Sequence, residues 1–169
     1  MEKFTMRDFV RVAIVAALYV VLTITPPLNA ISYGAYQFRV SEMLVFLAFY
    51  NRKYIIGLTA GCMIANLYSF GLIDVFVGGS QTFVFLMLGV TLFDRYKDQY
   101  LFNGLFNKAF FYFSLLFAAS MFTIATELHI VANAPFLITW FTSAVGELAS
   151  LLIGSLVMDK LASRIELTA

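Results

Sequence analysis

The chain is 169 residues long, 62% hydrophobic and 12% charged, with a formal net charge of +1. A soluble domain carries roughly twice that charged fraction, so a water-soluble globule is excluded, and near-neutrality removes any global field for nucleic acid. The single cysteine, Cys62, excludes a disulfide framework and reads as a small buried side chain.

Six apolar segments follow one another, at about Phe9–Thr25, Val40–Tyr50, Tyr54–Phe70, Leu72–Phe93, Ala109–Val131 and Pro135–Met158. Runs of roughly twenty apolar residues match the length a helix needs to cross hydrocarbon. They predict an all-α integral membrane protein: one domain over residues 1–169, folded as a compact bundle of six transmembrane helices. Lys3, Arg7 and Arg11 before the first run resemble a secretory signal, with Leu28-Asn29-Ala30 as a weak cleavage site. Because the downstream chain is equally apolar, a retained first span is expected. Pro26-Pro27 closes that span, since proline removes a donor and disfavours helix in the residue before it.

The second segment is only about eleven clean apolar residues, too short for a bilayer of about 30 Å. Either its helix starts near Ile31, or Ile31–Arg39 dips in as irregular backbone shielded by protein. Both place Arg39 and Glu42 at or below the outer interface. Short or glycine-interrupted segments point to binding sites in transporters, and Gly78-Gly79 interrupts the fourth segment. With six crossings, ten of the 11 Lys and Arg residues fall on one side, leaving Arg39 on the other. By the positive-inside rule that side is cytoplasmic, with both termini inside.

The polar residues within the apolar runs carry the functional reading, because such groups usually face a bundle interior or a wet cavity. Asn66, Asp74 and Gln81 surround a short turn near Phe70 and Gly71. On a helix Asp74, Gly78 and Gln81 share a face, and the missing side chain at Gly78 is expected to leave room for a bound molecule. Asp74 also fits a helix N-cap, Asn66 an interhelical hydrogen bond, and Arg39 with Glu42 a simple i,i+3 ion pair. Glu127 and His129 fit interfacial water and lack a third ligand for a metal. Glu147 lies twelve residues after Pro135, about 18 Å along its helix at about 1.5 Å per residue. A carboxylate at that depth needs a partner or a proton. Phe136, Trp140, Ser143 and Glu147 share one face, although Trp140 also fits an aromatic belt.

Two small-residue stripes, Gly57/Gly61/Ala65 and Gly146/Ser150/Gly154, read as close helix packing. Ala13 and Ala17 form a further pair, suited to packing or to docking a second membrane protein. No P-loop, His-Glu-x-x-His or Gly-x-Ser-x-Gly motif occurs. A binding or transport role is therefore expected in place of an enzyme, with no cofactor or metal.

The segments Gln37-Phe-Arg-Val-Ser-Glu42, Ile64-Ala-Asn-Leu-Tyr-Ser69, Gly71-Leu-Ile-Asp74 and Thr142-Ser-Ala-Val-Gly-Glu147, with the Ala-x-x-x-Ala pair, carry a resemblance over nearly the whole chain. The sequence resembles the substrate-binding S components of energy-coupling factor transporters, in the QueT-type branch assigned to queuosine precursors such as aminomethyl-deazaguanine. The resemblance implies capture of a nutrient outside the bacterial plasma membrane. It also implies a shared transmembrane coupling subunit and two cytoplasmic ATPases as partners, with Ala13 and Ala17 matching the docking motif. For that ligand class, Glu147 or Glu42 suits a guanine-like edge. Asn66 and Gln81 suit a carbonyl or ring nitrogen, and Asp74 or Glu127 suits a protonated aminomethyl group. Trp140, Tyr68 or Phe136 suits stacking, and Arg39 completes the set. The alternatives are an S component for another vitamin-like ring, a solitary ion-coupled carrier, and a membrane scaffold whose polar groups serve assembly.

Overall fold

The structure, a computed structural model, describes residues 4–68 and 71–164. Lys3, Ser69 and Phe70 lie outside the described residues, and with them part of the turn expected near Phe70. The α-helices are α1 (Met6–Ile24), α2 (Leu28–Ser32), α3 (Tyr54–Asn66), α4 (Leu72–Phe93), α5 (Lys108–Ala119), α6 (Phe122–Ala132) and α7 (Phe136–Ala162). Val40–Phe49 and Asp94–Tyr96 are 3-10 helices. Strands β1 (Tyr100–Leu101) and β2 (Phe106–Asn107) pair antiparallel, a small exception to the all-α expectation. Among the described residues, three stretches are long and apolar enough to cross a membrane: Leu72–Tyr96, Lys108–Ala132 and Phe136–Ala162.

Local chemistry sets the helix ends. Thr5 caps α1 in a reciprocal box, its N–H donating to Asp8 Oδ2 at 2.7 Å and the Asp8 N–H returning to Thr5 Oγ1 at 3.3 Å. Lys53 Nζ reaches the same Asp8 oxygen at 2.9 Å and ties the start of α1 to the start of α3. The fifth apolar segment, expected as one helix, breaks at Ser120-Met121. Ser120 turns its hydroxyl onto Phe117 O at 2.6 Å, which competes with the helical ladder. The Trp140 indole N–H satisfies Ala119 O at 3.1 Å.

Small residues decide which elements approach closely. A Cβ on Gly57 would lie 2.6 Å from Val12 O, and one on Gly61 2.8 Å from Tyr19 Cβ, so α3 packs backbone to backbone on α1. On α7, a Cβ on Gly146 would lie 1.5 Å from Tyr36 O, and one on Gly154 2.7 Å from Met43 Cα. Ser150, between them, donates to Arg39 O. The α7 stripe is thus the track on which the non-helical stretch between α2 and the first 3-10 helix lies. Of the two expectations for Ile31–Arg39, a helix running on from Ile31 is not found: α2 ends at Ser32, and the irregular Tyr33–Arg39 stretch buries Gln37 and Arg39 while Ala35 and Tyr36 stay exposed.

The core is aromatic at one end. Phe46, Phe49, Phe110 and Phe113 interlock, with centroid separations from 4.5 Å (Phe46–Phe110) to 5.7 Å (Phe46–Phe113). The basic connections gather beyond it. Lys97 Nζ donates to Phe49 O at 2.9 Å, and Tyr100 donates to Asp159 Oδ1 at 3.2 Å. Most of the outer surface stays apolar, with Phe9, Phe76, Phe141 and Val157 all more than half exposed, as expected for helices solvated by lipid.

Candidate ligand-binding site

At the other end the interior changes from hydrocarbon to polar. Arg39 precedes the 3-10 helix and is 6% exposed; Glu42, one turn on, is 2% exposed. They do not form the simple ion pair considered from sequence. Glu42 Oε1 accepts the Tyr19 hydroxyl from α1, and the adjacent Thr23 donates to Ser41 Oγ at 2.7 Å. Arg39 spreads its guanidinium over weaker partners. Nε donates to Ser32 O at 3.5 Å, Nη1 donates to Asn66 Oδ1 at 3.4 Å, and Cζ lies 5.5 Å from the Tyr33 ring centre.

Asn66 closes α3 and is fully buried. Its Nδ2 donates to Asp74 O at 3.2 Å and approaches Cys62 Sγ at 3.5 Å. That amide occupies the space beside Gly78, where a Cβ would lie 2.1 Å from Asn66 Nδ2. The room expected there for a ligand is therefore filled by Asn66: Gly78 admits a side chain from the neighbouring helix. Asp74 is 3% exposed in the first turn of α4, while the cap position belongs to Gly71 at φ 79°. The N-cap reading of Asp74 is thereby replaced by that of an inward-facing carboxylate.

Glu147 sits on α7 with 1% exposure, within electrostatic reach of both Arg39 and Glu42. Its Oε1 has no hydrogen-bond partner, and the same holds for Glu42 Oε2, Gln37 Oε1 and Ser143 Oγ. Buried polar atoms are nearly always paired, so this concentration of unpaired acceptors is the unusual feature of the fold. A cavity of about 300 Å³ lies between the Tyr33–Gln37 turn and α7, with Gln37, Thr142 and Ser143 in its wall. Ser143 and Glu147 are one turn apart on the same face of α7, and of the two Ser143 is in the cavity wall. Among the described residues Arg39 is the one buried cation, and it lies within electrostatic reach of the buried carboxylates Glu42, Glu127 and Glu147.

Other predicted residues are placed differently. Gln81 Nε2 donates to Ser120 Oγ at 2.8 Å and braces the α5–α6 break. Trp140 braces the same break through Ala119 O and stacks near Phe136, at 6.0 Å between ring centres. Tyr68 is 69% exposed, outside the buried cluster. His129 sits at the exposed end of α6, its Nδ1 2.7 Å from Ala134 O. Ala13 and Ala17 are both on the exposed face of α1, away from the Val15, Tyr19 and Thr23 face that packs inward. Sequence reasoning missed Tyr19, although Val15, Tyr19 and Thr23 recur every four residues, the spacing of a buried stripe. It also missed Gln37, whose irregular backbone at φ 46° gives no periodic signal.

No solved structure matches the chain. The Queuosine precursor transporter QueT of Lactococcus lactis subsp. cremoris (strain MG1363) is 61% identical over 168 residues, covering 99% of each chain. The family model described as QueT transporter matches residues 9–163, and with identity of that extent the chain belongs to the QueT transporter family.

Proposed function

We propose that this chain is the substrate-binding S component of an energy-coupling factor importer, capturing a queuosine precursor on the outer face of the bacterial plasma membrane. In this reading the chain crosses six times with both termini in the cytoplasm. The Val40–Phe49 helix, α3 and the joined α5–α6 each count as one crossing. The gathering of Lys53, Lys97 and Lys108 at the end opposite the polar cluster supports that orientation. A transmembrane coupling subunit and two cytoplasmic ATPases supply the energy, and the exposed Ala13/Ala17 face of α1 is the surface offered to the coupling subunit.

The observation that carries the reading is the set of unpaired buried acceptors on Glu42, Gln37, Ser143 and Glu147 around Arg39. A guanine-like edge presents adjacent N–H donors, which a carboxylate accepts in paired fashion. Its carbonyl and ring nitrogen suit Arg39 and the amide groups. Glu147 is assigned the donor edge and Arg39 the carbonyl, with Asn66 holding Arg39 in place. The twofold support is that these groups are buried yet unsatisfied by the protein, and that the related transporter is named for this substrate class.

The test is mass spectrometry of small molecules that co-purify with the detergent-solubilised chain. A deazaguanine is expected; a different vitamin-like ring would overturn the substrate assignment while leaving the S-component role. The excess of buried carboxylates also favours a second reading, a solitary ion-coupled carrier. Accumulation of substrate in proteoliposomes holding this chain alone, under a proton or sodium gradient, would select it.

A further inference from the structure

Glu42 is held from outside its own segment. Tyr19, on the inward face of α1, is fully buried and donates its hydroxyl to Glu42 Oε1, leaving Oε2 buried without a partner. One turn further along α1, Thr23 donates to Ser41 Oγ at 2.7 Å, so one helix grips two consecutive residues of the Val40–Phe49 segment. The Tyr19 ring is seated against α3, where a Cβ on Gly61 would lie 2.8 Å from Tyr19 Cβ and 3.1 Å from Tyr19 Cγ. Arg39 stands three residues before Glu42, joined to it by the first 3-10 hydrogen bond, Glu42 N–H to Arg39 O at 3.1 Å. Side chains at that spacing eclipse one another on a 3-10 helix. The guanidinium lies within electrostatic reach of Glu42, yet it donates instead to Ser32 O at 3.5 Å and Asn66 Oδ1 at 3.4 Å, both long for a charged donor.

We propose that Tyr19 is a positioning residue of the ligand site: it holds the Glu42 carboxylate off Arg39, so that both groups stay open to the ligand. This rests on the importer reading above, in which Arg39 and the unpaired acceptors around it meet the ligand. A carboxylate and a guanidinium left free at this spacing close into a charge-assisted pair, often through two parallel bonds. Such a pair would use up the Glu42 oxygens and turn Arg39 away from Asn66. The phenol prevents this with a single neutral donor. It fixes Oε1, adds no charge, and leaves the carboxylate negative for a ligand donor at Oε2. A lysine in its place would bring three donors and a positive charge that cancels the carboxylate. Helix α1 thereby takes part in the site although Tyr19 is not in the wall of the cavity beside α7.

The test is a double-substitution cycle read by calorimetric titration of the purified full chain with an aminomethyl-deazaguanine. Tyr19→Phe, which removes only the hydroxyl, should weaken binding at least about fivefold, within the range set by loss of one hydrogen bond. Glu42→Gln removes the charge that Arg39 would capture and should itself bind about tenfold more weakly. In the Glu42→Gln background, Tyr19→Phe should cost less than about twofold, because no carboxylate is left to release. A hydroxyl that serves only packing would cost the same in both backgrounds. That result overturns the proposal, as does unaltered affinity in Tyr19→Phe. Tyr19→Met, a second donor-free side chain that fills irregular space, runs through the same cycle should the phenylalanine variant not fold. Thr23→Val removes the neighbouring hydrogen bond of α1 without freeing Glu42 and should leave affinity within about twofold; a loss as large as that of Tyr19→Phe overturns the assignment to Tyr19. Each of those failures leaves the importer reading standing, whereas binding of no deazaguanine by the unsubstituted protein overturns both.

Discussion

Adding one methyl group at Gly146 probes how firmly the Tyr36–Arg39 stretch is pressed against α7. The new Cβ would lie 1.5 Å from Tyr36 O and 2.5 Å from Tyr36 C. Carbon atoms at ease stand about 3.5 Å from their neighbours, so about 2 Å of displacement is required. The obstacle is backbone, held to the same face of α7 by the Ser150 hydroxyl on Arg39 O, and cannot step aside as a side chain tip would. Overpacking costs about 1–3 kcal/mol in typical cores, and a clash this deep belongs at the upper end, about 3 kcal/mol. For a chain of this length, about 2–4 °C per kcal/mol puts the expected fall in melting temperature at about 6–12 °C. Because the displaced stretch carries Arg39, ligand affinity should fall with it. Val145→Leu, which enlarges the neighbouring side chain on the lipid-facing side, is the control and should move the melting point by less than about 2 °C. Thermal unfolding followed by tryptophan fluorescence, beside calorimetric titration, reads both quantities. Gly146→Ala with unaltered melting and affinity would refute the claim that this glycine is the seat of the incoming chain.

Glu147→Gln keeps shape and removes charge; ligand affinity should drop at least about tenfold if the carboxylate accepts a charge-assisted hydrogen bond of about 1.5–3 kcal/mol, and calorimetry showing no change would remove Glu147 from the site. Replacing Ala13 and Ala17 by leucine should leave ligand affinity within about twofold, since both side chains face outward, while uptake in cells supplied with the coupling proteins falls; lost binding instead would mean the pair packs inside the bundle. The hydrogen bond from Lys53 holds the Asp8 carboxyl well below its ordinary value of 3.8, with help from the Thr5 backbone. A lowered carboxyl stabilises the fold above its unfolded value and loses that contribution as pH falls toward the folded one. Asp8→Asn should therefore melt below the parent by a constant margin from about pH 5 upward, and the margin should shrink below about pH 4; a margin independent of pH would contradict the pairing.

Much of this arrangement was legible because apolar runs and small-residue stripes are local signals. Gly57/Gly61 and Gly146/Ser150/Gly154 were readable as packing surfaces, since four-residue spacing fixes one helix face whatever lies opposite. Burial of Glu42, Asp74, Glu127 and Glu147 followed from their positions inside apolar runs. Partners were not legible. Gln81 and Trp140 serve the α5–α6 break, and nothing in Ala118-Ala119-Ser120-Met121 announces a break, because no glycine or proline stands there. Asn66 filling the hollow at Gly78 required knowing how α3 crosses α4. The small hairpin was signalled but passed over: Asn103-Gly104 is a strong two-residue turn pair, and both residues adopt positive φ, 57° and 91°.

The 3-10 winding of Val40–Phe49 stretches a short segment further than an α-helix would. Ten residues at a rise of about 2.0 Å each reach about 20 Å, against about 15 Å for the same residues wound as an α-helix. Tighter coiling thus trades girth for reach. With three residues to the turn, Glu42, Val45 and Ala48 fall in a straight row, so inserting or deleting a single residue would swing everything beyond it by about 120°. The length of this one segment, more than its composition, keeps the acidic end of the row aimed at Tyr19.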